Sequence, residues 1–135
     1  MIQWSERLKL GIDILDEQHK ELFVVTNRLL EAFKKNNAQD QAYEAICFLE
    51  EYVIKHFRAE EFYFSKLPYP DKDNHIRLHK EFQRKIEDFK NRHFKTGITP
   101  VAAKEISSYL LDWWVYHIEN VDRKYADLQA RIRYR

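Results

Sequence analysis

The chain has 135 residues, enough for one domain with a substantial buried core. Its 23 Lys and Arg balance 22 Asp and Glu, which leaves no basic field to attract nucleic acid or an anionic membrane, so neither is expected as a partner. Two Gly and three Pro are too few to punctuate an all-β sandwich, the single Cys47 precludes an intrachain disulfide, and no leader or membrane-length apolar run occurs, so an all-α cytoplasmic monomer is expected.

Residues 1–16 contain Trp4, Leu10, Ile12 and Ile14 and are too apolar for a free tail, so they predict an ordered arm lying on the rest of the domain. A first helix is predicted over about 17–35 after an Asp16 N-cap, with Leu22, Phe23, Thr26, Leu29, Leu30 and Phe33 at helical period. NNAQD at 36–40 then breaks the pattern. A second helix, about 41–66, carries Ala45, Phe48, Leu49, Tyr52, Val53, His56, Phe57 and Glu60 on one stripe. After LPYPDKD at 67–73, a third over about 73–94 repeats His75, Leu78, His79, Phe82, Ile86 and Phe89. KTGITP at 95–100 precedes the fourth, about 100–128, opening on Pro100 and continuing through Ile106, Leu110, Trp113, Trp114, His117 and Val121. Four amphipathic helices joined by short loops predict an up-down-up-down antiparallel four-helix bundle over residues 1–135, with an interior suited to a cofactor.

Every one of these helices places at least one His on its apolar face: His19, His56, His75 with His79, and His117. Residues four apart share a helix face, so His56 pairs with Glu60 and His75 with His79. A single core histidine is usually a satisfied structural residue. Five imidazoles and two carboxylates buried together are different, because each unpaired polar group costs roughly 1–3 kcal/mol unless a metal satisfies it. Imidazole-rich sets suit zinc, copper and iron. Seven donors exceed the four that one tetrahedral zinc accepts, which favours two metals bridged by carboxylates. Asp122 fits least well. It lies five residues after His117, about 140° around a regular helix, so it must reach in from the flank or the helix must bulge.

The Trp4 arm, LGIDILDEQHKELF, YVIKHFRAEE, the YP turn before HIRLHKEF, and DWWVYHIENVD resemble the hemerythrins, particularly the single-domain bacterial members. The resemblance covers nearly the whole chain, and the order and spacing of these segments make it specific. It implies two iron ions with an oxo or hydroxo bridge. By position, His75, His79 and His117 correspond to the ligands of a coordinatively full iron, His19 and His56 to those of a second iron with an open position, and Glu60 and Asp122 to the carboxylates bridging both. The implied function is reversible dioxygen binding, as carrier, store or sensor, and not enzymatic turnover; the alternative is a di-iron oxidase, peroxidase-like or nitric-oxide-scavenging enzyme on the same bundle. No histidine has Glu three residues before it, which disfavours the ferritin-like oxidases. Leu22, Phe57, Trp113, Trp114 and Ile118 are expected to line the oxygen pocket around the His19 and His56 iron. Phe64 and Trp114 depart from the Met and Leu common in the family at these places.

The other chemistry-bearing side chains receive structural readings. His93 is expected at the surface, Cys47 as a small buried apolar residue, and Glu61 as a solvated acid or one placed behind the ligands.

Overall fold

The computed structural model describes residues 2–35 and 39–133. Met1, residues 36–38 and residues 134–135 lie outside the described residues, and with them the corresponding parts of the expected arm, first loop and domain. Helix α1 spans Asp13–Lys34, α2 Gln39–Ser65, α3 Lys72–His93, α4 Pro100–Tyr116 and α5 Arg123–Arg133, with a π-helical turn over His117–Asp122 joining α4 to α5. Four helical rods thus form the bundle, the last being α4, the π turn and α5 in sequence. No strand occurs among the described residues.

Periodicity explains the packing. On α3 the buried positions His75, His79, Phe82, Ile86 and Phe89 alternate spacings of four and three, the signature of one apolar stripe. The last rod is different: Ala102, Ile106, Leu110, Trp114, Ile118, Asp122 and Ala126 are all buried at a constant spacing of four. In a regular helix a spacing of four drifts about 40° per step away from the core. The wide turn at His117–Asp122 takes up that drift and returns Asp122 to the interior, so the helix bulges and the carboxylate does not reach in from the flank.

Two sequence expectations need correction at the first helix. The helix begins at Asp13 after Ile12, not at Glu17, and Asp16 is not its N-cap. Its buried carboxylate instead accepts hydrogen bonds from the backbone N–H groups of Leu10 (2.8 Å) and Gly11 (3.1 Å), closing the turn between arm and helix. Gly11 stands at φ +86°, where a side chain would be strained. The arm is otherwise ordered as expected: Ile2, Leu8 and Leu10 are buried, Asn27 holds both backbone groups of Ile2, and Arg123 donates to the carbonyls of Arg7 and Lys9. Asp16→Ala would leave two N–H groups without their charged acceptor, and a loss of roughly 1–3 kcal/mol is expected in a thermal or urea melt. An unchanged melt would show that these two hydrogen bonds add nothing to stability.

Other differences are local. Phe48 is 49 % exposed and Ile14 63 % exposed, although both sit among apolar neighbours in the sequence. Each falls just past the edge of its helix's buried stripe. Cys47 and His93 are half-buried, His93 because its ring packs on Phe89 at 4.7 Å. The fourth rod runs to Arg133, beyond the expected end near residue 128. Pro100 opens α4 as expected, with Thr99 accepting from the Ala102 N–H at 3.1 Å. None of these helices is long and apolar enough to cross a membrane.

Candidate metal centre

The bundle brings His19 from α1, His56 and Glu60 from α2, His75 and His79 from α3, and His117 and Asp122 from the π turn into one enclosed volume. All seven are buried, none exposing more than 2 %. Their donor atoms fall into two groups. One comprises Glu60, His75, His79, His117 and Asp122; the other comprises His19, His56 and Glu60.

Each carboxylate divides its oxygens between the groups. Glu60 Oε1 lies 2.8 Å from His75 Nε2 and 3.2 Å from His79 Nε2, while Oε2 lies 3.0 Å from His56 Nε2 and 3.7 Å from His19 Nε2. Asp122 repeats the division, with Oδ1 3.0 and 3.1 Å from His75 and His117 and Oδ2 3.3 Å from His19. Two oxygens of one carboxyl group therefore face two different imidazole groups, and they do so twice.

The electrostatics follow from burial and this pairing. Burial alone would lower an imidazole, but Asp122 and Glu60 outweigh it at His19 and at His75, raising both to about 9. At His79 burial is overcome by Glu60 and Glu61. At His56 and His117 burial prevails and the rings are held toward their neutral form. Burial would raise the two carboxyl groups, yet the surrounding imidazoles hold Glu60 well below the usual range and keep Asp122 low as well.

Whether a metal suits these residues can be judged from their unsatisfied atoms. All four carboxylate oxygens of Glu60 and Asp122, and Nε2 of His19, are sealed from solvent without a hydrogen bond. His75 and His79 each bring Nε2 to within 3.1–3.2 Å of His117 Nε2, so three ring nitrogens share one small space. Orphans of this kind cost roughly 1–3 kcal/mol each, more when charged. A cation in each group would satisfy them together, so the donor set fits a metal pair.

Behind the donors stands a ring of partners that sequence reasoning largely misses. Gln18 Oε1 lies 2.7 Å from His56 Nδ1, the Tyr69 hydroxyl 3.0 Å from His75 Nδ1, and Glu61 Oε2 2.7 Å from His79 Nδ1. Of the two readings open for Glu61, solvated acid or acid behind the ligands, the second holds. Tyr69 carries a faint signal, since Pro68 and Pro70 fix its turn beside His75. Gln18 carries none.

The expected pocket residues distribute unevenly. Phe57 lies flat on His79, 3.7 Å between ring centroids and 3° between planes, and Trp113 lies on His117 at 4.2 Å and 11°. Trp113 therefore covers the three-imidazole group and not the His19 and His56 side expected for it, whereas Phe57 stacks on that group and also stands 5.8 Å from the ring of His56, between the two. One residue beyond His56 the helix has turned about 100°, which aims Phe57 at α3, and Trp113 sits one turn before His117 on the same face. Trp114 presents an edge to His56 at 6.4 Å, and Leu22 and Ile118 are fully buried.

Fold and cluster together define an all-helical bundle enclosing five histidines and two carboxylates that could hold metal. Residues 10–128 match the family described as the hemerythrin HHE cation binding domain, and the chain belongs to the hemerythrin family. It is similar to a bacteriohemerythrin of Clostridium acetobutylicum, 29% identical over 94% of this chain and 100% of that protein. A hemerythrin-like protein of Naegleria gruberi is 31% identical over 90% of this chain and 88% of the relative. Among solved structures, a hemerythrin variant with one leucine replaced by tyrosine superposes with a TM-score of 0.84 at 26% identity, covering 95% of this chain and 96% of the other.

Proposed function

We propose that this protein binds dioxygen reversibly at two iron ions, as a carrier, store or sensor acting as a cytoplasmic monomer and not as an enzyme. The observation that carries the reading is the division of each carboxylate between two imidazole groups, which suits two metals sharing Glu60 and Asp122. Bound there with an oxo or hydroxo bridge, the iron pair would supply two electrons to dioxygen and recover them on release. His75, His79 and His117 would fill one metal's coordination sphere. His19 and His56 give the other metal one imidazole fewer, and hence room for an exogenous ligand.

The protein's own contribution is donor placement and exclusion of water. Three neutral imidazole ligands on one side and two on the other, with only two carboxylates, would keep the negative charge at the centre low. That disfavours strongly oxidised iron and favours binding over oxidative turnover. Leu22 and Ile118, both fully buried, and Trp114 beside His56 would keep water from the two-imidazole side. Phe57 and Trp113 seal the other side by stacking on ligand rings.

The direct test is iron counted per chain together with the optical spectrum of the anaerobically reduced protein before and after air, then after purging. Two irons and an oxygen-induced band that disappears on purging are expected; a band that never reverses would favour the oxidase or peroxidase-like alternative. Dryness of the pocket has its own test. Ile118→Glu adds a carboxylate beside the open side, and Leu22→Ala leaves a cavity that costs about 2–5 kcal/mol. Both variants should retain two irons while the air-induced band decays much faster or fails to form. Wild-type lifetimes in both would assign the dry pocket to other residues.

A further inference from the structure

The inner faces of the two imidazole groups are similar, but what stands behind them is not. Nε2 of His19, His56, His75 and His79 points inward in each case, leaving Nδ1 to face outward. The outward partners are an amide oxygen for His56 (Gln18, 2.7 Å), a phenol for His75 (Tyr69, 3.0 Å), a carboxylate for His79 (Glu61, 2.7 Å) and nothing for His19, whose Nδ1 is buried without a hydrogen bond. Only Glu61 carries charge. With Nε2 committed inward, the Nδ1–H of His79 donates to a carboxylate, a short charge-assisted bond that draws the proton outward and leaves Nε2 more electron-rich. The same bond ties α2 to α3, and Phe57 stacked 3.7 Å from the ring fixes its plane, so His79 is held in two directions. The outward Nδ1 of His19 has neither a hydrogen-bond partner nor a charged group behind it among the described residues.

Resting on the two-metal reading above, we propose that Glu61 is a positioning residue that makes the His75, His79 and His117 half of the centre the tighter of the two for metal. The graded set of outward partners, a carboxylate and a phenol on one side against an amide and none on the other, adds a difference in affinity and electron donation to the one set by three imidazoles against two. The half that must keep its metal is backed by charge. The half with room for an exogenous ligand is not.

The test is a competition between the reduced, iron-loaded protein and a chromophoric ferrous chelator under anaerobic conditions. Wild-type protein should give up its two irons in two separable steps. Glu61→Gln, which keeps size and hydrogen bonding but removes charge, should weaken the tighter step about 10–100-fold and leave the weaker step in place. Gln18→Glu places a carboxylate behind His56 and should tighten the weaker step, narrowing the gap between the two. The hyperfine-shifted Nδ1–H resonance of His79 should move in Glu61→Gln while those of His56 and His75 stay in place, whereas a general structural disturbance would move all three. A wild-type release profile for Glu61→Gln, or equal weakening of both steps, overturns the role of Glu61 while the two-metal centre stands. Wild-type protein releasing only one iron per chain overturns the two-metal reading itself. Should Glu61→Gln fail to fold, Gln18→Glu decides alone, and an unchanged weaker step in that variant counts against the proposal.

Discussion

Replacing Glu60 by alanine is expected to remove both metals and not one. Its Oε1 faces His75 and His79 and its Oε2 faces His56 and His19, so a single truncation withdraws an anionic donor from each group. The imidazoles left behind would face one another with only Asp122 to offset two cations. Iron per chain should fall from two to near zero. Because metal bound at a thousand times its Kd adds about 4 kcal/mol, the melting temperature should drop by roughly 10–20 °C relative to the loaded wild type. Truncating His19 should be milder, since that residue serves one group. A Glu60→Ala protein that keeps one tightly held iron would mean that this carboxylate serves a single metal.

The second large effect concerns pH in protein stripped of metal by a chelator. His19 and His75 are raised from 6.5 to about 9 against the pull of burial, by Asp122 and Glu60. A raised imidazole stabilises the fold fully below pH 6.5, and the contribution is lost as pH climbs through about 9; each group is worth on the order of 3 kcal/mol. His56 and His117 are lowered from 6.5 by burial, so they act oppositely and cost stability as pH falls below that value. Glu60 and Asp122, held below their usual 4.5 and 3.8, add stability that is lost on acidification below those values. Stripped protein should therefore be most stable near pH 6.5 and markedly weaker at pH 9. Loaded protein should show the reverse on the alkaline side, because metal replaces the protons and binds better as they leave. Urea melts of both forms at pH 5, 6.5 and 9 check the signs. Stripped protein more stable at pH 9 than at 6.5 would mean that the imidazoles are neutral in the folded core.

Much of this centre is written in local periodicity. His19, His56, His75, His79 and Glu60 are legible in the sequence because a helix turns about 100° per residue, so apolar spacing fixes which side chains look inward and i, i+4 pairs must converge. The bundle follows for the same reason, from four stripes and short loops. Helix termini are less legible. Asp16 resembles an N-cap in sequence, yet its carboxylate is taken up by Leu10 and Gly11 because the arm folds back onto the helix start.

Asp122 marks the boundary between the two kinds of information. Sequence spacing predicts that it misses the centre on a regular helix, and identifies a bulge as one remedy; only the folded rod, with its constant spacing of four, requires the π turn that brings Asp122 to His117 at 3.1 Å. Tertiary packing likewise decides that Phe57 and Trp113 stack on the three-imidazole side, and that Gln18, Tyr69 and Glu61 stand behind particular rings. Local periodicity specifies which face of a helix a residue occupies. Which neighbour that face meets depends on the rotation and height of one helix against another, and those are set by the packed core as a whole.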